Sequence, residues 1–95
     1  MAIIHNEENL DLLYRTFASF EDPADVEALL VDLCTTREVE EMAQRLAVAK
    51  MLAKGMPYTR IQEETGASTA TIARVAKFQK QGAGGYRKAL AYFEE

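Results

Sequence analysis

The sequence predicts an all-α fold of about six short helices, and three observations carry that expectation. Apolar residues recur at three- and four-residue spacing along nearly the whole chain, and no stretch shows convincing strand alternation. Cap and breaker residues punctuate the pattern at regular intervals. The chain has 95 residues, room for a single domain with a small core.

The elements follow in order. Asn6 is placed to cap a first helix whose apolar positions are Leu10, Leu13, Tyr14, Phe17 and Phe20. Asp22-Pro23 reads as a cap followed by proline at the first helical position, opening a second helix with Val26, Leu29, Leu30 and Leu33. Thr35-Thr36-Arg37-Glu38 fits a capping box, Thr35 bonding forward and Glu38 back. It opens a long third helix with Val39, Met42, Ala43, Leu46, Val48, Ala49 and Leu52, stopped by Gly55. Pro57 lies just outside a short fourth helix that carries Ile61 and ends at Gly66, and Ser68 starts a fifth that runs to about Lys80. Gly82, Gly84 and Gly85 break the chain before a last helix with Leu90 and Phe93. There is no long linker, low-complexity segment or internal repeat.

Composition excludes several classes. With 48% apolar and 27% charged residues the chain has a globular balance and not a disordered one. No apolar run approaches the ~20 residues needed to span a bilayer. Met1 to Asn6 has no basic segment leading into an apolar stretch, so no secretory signal is expected. Cys34 is the single cysteine and has no internal disulfide partner, which fits a reducing cytoplasm. Without a Cys/His cluster no metal or other cofactor is expected.

The net charge of −4 conceals a strong polarity. Residues 1–36 hold eight acids against one base, Arg15. From Thr65 to Phe93 there are five bases and no acid. A local basic patch serves phosphate binding, whatever the charge of the whole chain.

That patch coincides with a helix-turn-helix pattern from Met56 to Lys80. Gly66 stands where the chain must reverse, a place for positive φ. Ala67 and Ala70 are small enough to let the two helices approach, and Ser68 suits the N-cap of the second. Ile61, Ile72, Val75 and Ala76 can face inward together. On the other face Ala70, Arg74, Lys77 and Gln81 align, flanked by Thr71 and Ala73. A helix small and polar at its N-terminal end can enter a major groove ~12 Å wide. Bases further along can hold phosphates. The expected DNA-contacting set is Thr59, Arg60, Ser68, Thr69, Ala70, Thr71, Arg74, Lys77 and Lys80.

The run from Met56 to Arg74, and within it Gly66-Ala67-Ser68-Thr69-Ala70-Thr71-Ile72, resembles the Trp repressor superfamily, most nearly its YerC/YecD-like branch. Leu33 to Glu38 and Ala43-Gln44-Arg45-Leu46 are similar to the same branch. The resemblance extends over roughly residues 10 to 93. It implies an intertwined all-helical homodimer: one domain over 1–95, with dimerisation helices in 6–55, the helix-turn-helix in 56–80 and a C-terminal helix in 84–95. The apolar positions of the first two helices, more than a small domain easily hides, fit a dimer on their own account. Two copies of the motif spaced by one DNA turn, ~34 Å, would engage both half-sites.

The resemblance also implies an effector site. In the Trp repressor the corepressor lies between two arginines, with a threonine nearby, and the matching positions are Arg45, Arg74 and Thr35. Two arginines can sandwich an aromatic ring and receive a carboxylate. The repressor, however, has glycine and serine where this chain has Val75 and Phe78. Valine replaces a residue whose missing side chain makes room for the indole, and Phe78 fills space where a hydroxyl stood. Tryptophan is therefore not expected as the effector, and another small molecule stays open. Arg45 reads better as an interfacial ion-pair partner and Arg74 as a phosphate contact.

Other functions find little support. His5, the single histidine, sits near the terminus, and Cys34 ends an apolar helix, so neither suggests a catalytic residue and no enzyme is expected. The glutamates at 38, 40, 41, 63 and 64 read as helix-surface charge. The four tyrosines are too scattered for a single-strand stacking platform. The sequence thus points to a DNA-binding transcriptional regulator, a homodimeric repressor that partners double-stranded DNA. The alternative is a protein-interaction module of helix-turn-helix shape, docking a basic partner through its acidic N-terminal third.

Overall fold

The computed structural model describes residues 7–92, which form six helices: α1 (Glu7–Ser19), α2 (Pro23–Leu33), α3 (Thr36–Ala53), α4 (Tyr58–Thr65), α5 (Thr69–Gln81) and α6 (Gly85–Ala91). The chain divides into two compact units, Met1–Thr36 and Arg37–Glu95.

The first unit holds α1 and α2. Glu7 and Glu8 in the first turn of α1 oppose the positive end of its dipole. The expected cap Asn6 lies outside the described residues. Near the other end the Thr16 hydroxyl donates to the Leu12 carbonyl and the Ser19 hydroxyl to the Thr16 carbonyl, both at 2.7 Å. The helix stops at Ser19, so Phe20 falls in the connection. Asp22 caps α2 as its sequence position suggests: Oδ1 accepts the Ala24 N–H at 2.9 Å, with Pro23 in the first turn. No residue of either helix is buried. Leu12, Tyr14 and Val31 are 65%, 62% and 69% exposed.

The second unit holds the core. Thr35 directly precedes α3 and Glu38 lies in its first turn, the positions a capping box needs. α3 ends in a left-handed turn at Gly55 (φ +79°), where the Met56 N–H reaches the Met51 carbonyl and the Gly55 N–H that of Leu52. Val48 and Ala49 of α3, Ile61 of α4, Ala67 of the turn and Ile72 and Val75 of α5 are buried together. Met51, Leu52, Met56, Tyr86 and Leu90 pack around them. Ile61, Ile72 and Val75 thus face inward as their spacing implies, with Ala76 half-buried. The apolar stripe of α3 is buried only in its second half, since Met42 and Leu46 stay exposed. α6 begins at Gly85, a residue expected to break the chain, because the left-handed turn falls at Gly84 (φ +89°) instead. Phe93 lies outside the described residues.

Candidate nucleic-acid interface

The helix-turn-helix is built from α4 and α5, joined by the three residues Gly66, Ala67 and Ser68. Gly66 takes φ +74°, and its N–H bonds to the Gln62 carbonyl at 2.9 Å, closing α4 in a left-handed cap. Ala67 is buried, so its small side chain does admit the close approach expected of it. Ala70, given the same role, is exposed and belongs to the outer face of α5.

Thr65 organises the turn. Its hydroxyl donates to the Ile61 carbonyl at 2.7 Å and accepts the Ala67 N–H at 3.1 Å. Its carbonyl accepts from the Gln44 amide of α3 at 3.0 Å. On the other helix, the Gln79 amide donates to the Ala49 carbonyl at 2.8 Å. Two glutamines thus tie α3 to the turn and to α5, and all three polar groups sit half-buried beside the core. Sequence reasoning passed over Gln44, Thr65 and Gln79. The available signal was polar residues interrupting positions that otherwise face inward.

Ser68 caps α5: its Oγ accepts the Thr71 N–H at 3.1 Å and its hydroxyl donates to Thr71 Oγ1 at 3.1 Å. The capping bonds engage two members of the expected reading edge with each other. Thr69, Ala70 and Ala73 are exposed on the same helix and make no such bond. Arg74, Lys77 and Lys80 follow on exposed positions toward the C-terminal end. The Arg74 guanidinium carbon lies 5.4 Å and the Lys77 ammonium 5.9 Å from the centre of the Phe78 ring. In α4, Thr59 is exposed, and Arg60 pairs with Glu64 one turn on at 2.7 Å, in a solvent-facing bridge.

One member of the basic run serves structure. The Arg87 guanidinium donates from Nε to the Gln79 carbonyl at 3.2 Å and from Nη2 to the Lys80 carbonyl at 3.1 Å. It satisfies the open carbonyls at the end of α5 and places positive charge at the negative end of that helix.

The expected effector residues are divided between the units. Thr35 is an exposed residue of the first, whereas Arg45 is half-buried and Arg74 exposed in the second. Val75 is 1% exposed and part of the core. Phe78 lines an open apolar cleft of about 360 Å³ with Leu46, Gly82, Ala83, Gly85 and Tyr86. Neither Arg45 nor Arg74 is among the described residues of that lining. Among the described residues, no group of three His, Cys, Asp or Glu side chains could hold a metal ion. No described helix is long and apolar enough to cross a membrane.

Comparison with known proteins agrees with this geometry. The Bacillus subtilis protein YerC, itself uncharacterized, is 42% identical over 88 residues, 93% of this chain and 85% of that protein. The crystal structure of a candidate Trp repressor from Staphylococcus aureus superimposes with a TM-score of 0.87 at 36% identity, covering 93% of this chain and 88% of that one. A TrpR-like protein from Eubacterium eligens gives the same TM-score at 34% identity, over 93% and 91%. The family model described as Trp repressor protein matches residues 8–94, and the chain therefore belongs to the Trp repressor family, whose members are non-enzymatic regulators.

Proposed function

We propose that the protein is a sequence-specific regulator of transcription that binds double-stranded DNA as a homodimer and acts without tryptophan. The observation that carries this reading is the outer face of α5: small, exposed Thr69, Ala70 and Ala73 lead, and exposed Arg74, Lys77 and Lys80 follow. Small residues let the helix sit deep in a groove, and cations further along hold phosphates. The clamps from Gln44 and Gln79 support it, because a reading helix must be held firmly by its scaffold. Thr59 and Arg60, at the start of α4, would add backbone contacts, with Arg60 trading its exposed Glu64 bridge for a phosphate at little cost. Ser68 and Thr71 would contribute through the cap they build more than through direct readout.

The dimer is supported by the first unit, whose helices bury no residue while exposing Leu10, Leu12, Tyr14, Val31 and Leu33. In this reading the two units make one domain within the dimer, and each protomer supplies one half-site reader. Independence from tryptophan is supported by Val75, whose side chain is part of the core and so cannot yield space to a ligand without loss of packing. Arg45, Arg74 and Thr35 would then serve as interface and phosphate contacts in place of an effector site.

The test is selection of bound duplexes from a random pool, with and without tryptophan. The expected product is an enriched palindrome whose half-sites lie about one helical turn apart, unchanged by tryptophan. Recovery of no duplex, or of duplexes without a common sequence, would remove base readout and leave a protein-docking module.

A further inference from the structure

The outer end of α5 carries an aromatic ring that phosphate binding does not obviously need. Phe78 is 42% exposed, and both neighbouring cations lie over its ring, Arg74 at 5.4 Å and Lys77 at 5.9 Å. These distances fall within the ~6 Å range in which an aromatic face attracts a cation. Neither cation has an ion-pair partner among the described residues, and α5 itself carries no acid. The Phe78 ring is thus a group that both side chains approach.

We infer that Phe78 is a positioning residue for DNA binding, holding Arg74 and Lys77 ready for phosphate through its ring face. The inference rests on the DNA-binding reading above. A guanidinium that meets a ring through its flat face keeps its edge N–H donors free, and those are the donors a phosphate takes in bidentate fashion. An ammonium over a ring likewise retains donors that point away from it. Free Arg and Lys side chains lose substantial rotamer entropy when they engage a ligand. Two chains already confined by one ring lose less. The aromatic also commits α5 to cations at both positions, since a carboxylate there would meet the negative face of the ring. The ring also borders the open cleft that Leu46 and Tyr86 line.

The experiment is a double-mutant cycle on the full-length protein, with a duplex selected as above as the probe and helical circular dichroism and thermal melting recorded for every variant. Phe78→Leu keeps apolar bulk in the cleft and removes the ring face. It should weaken duplex binding about two- to fivefold, the strength of an exposed cation–aromatic contact. Phe78→Tyr should bind as the wild type does. Arg74→Ala should cost clearly less in the Phe78→Leu background than in the wild type, because the ring acts through the arginine. A residue that merely packs the cleft would give additive losses and no rescue by tyrosine. If Phe78→Leu loses its helical signal, Phe78→Met provides the same comparison. Additive losses, or a ring-less variant that binds as tightly as the wild type, would overturn the inference while leaving DNA binding intact. If the wild type binds no duplex, the function itself fails, and the inference with it.

Discussion

The two units of the molecule contrast in almost every physical property. Met1–Thr36 holds eight acids against one base, and its two helices bury no residue. Arg37–Glu95 holds ten bases against seven acids, and the six buried apolar residues among those described lie there. Both are helical and both are rich in apolar side chains. The difference teaches that apolar periodicity marks a face needing cover without saying whether that cover is internal. In the second unit α3, α4, α5 and α6 close around Val48, Ile61, Ile72 and Val75. In the first, Leu12 and Val31 are exposed, and in the proposed dimer a second copy of the chain would cover them.

Matched substitutions in the two units can break or sharpen that contrast. The largest effect should come from Ile72→Ala, which opens a cavity at a fully buried site and should cost about 2–5 kcal/mol in chemical denaturation. A small loss would mean that the core is looser than the burial indicates. Gly66→Ala should come next. Nothing lies within 4 Å of the added methyl, so the cost is that of forcing φ +74° on an L-residue, about 1–2 kcal/mol. Ser68→Ala removes the α5 cap and should cost about 1 kcal/mol, with Ser68→Gly milder. The smallest effect should be Leu12→Ala measured at high dilution, within about 0.5 kcal/mol, since the side chain is largely exposed in the single chain. At high protein concentration the same variant should lose stability, and Val31→Lys should shift sedimentation toward monomers. Stability independent of concentration in the wild type would contradict the covering role given to a second copy.

The helix pattern was largely legible because local chemistry sets it. Asp22-Pro23, Gly55, Gly66 and Ser68 each act within a few residues of their own position, and each does what its residue type suggests. The inward set Ile61, Ile72 and Val75 was legible too, because a buried face has a period. What spacing could not reveal were contacts between residues far apart in sequence. Gln44 meets Thr65 across 21 positions and Gln79 meets Ala49 across 30, and no local rule anticipates either bond. Arg87 is one more cation of a basic run in the sequence, whereas in the fold its guanidinium bonds carbonyls at the end of α5. Ser68 and Thr71 illustrate a subtler limit. A hydroxyl suited to reading a base is equally suited to capping a helix, and here the two bond each other.

The central claim is that the exposed cations of α5 hold duplex phosphates, and the salt dependence of duplex binding tests it most directly. For the wild type, log affinity should fall linearly with log salt concentration, at about −0.9 for each phosphate contacted. Replacing Arg74 and Lys77 with alanine should weaken binding and flatten that slope while the oligomeric state is unchanged. No binding at low salt, or an unaltered slope in the variant, would contradict the account.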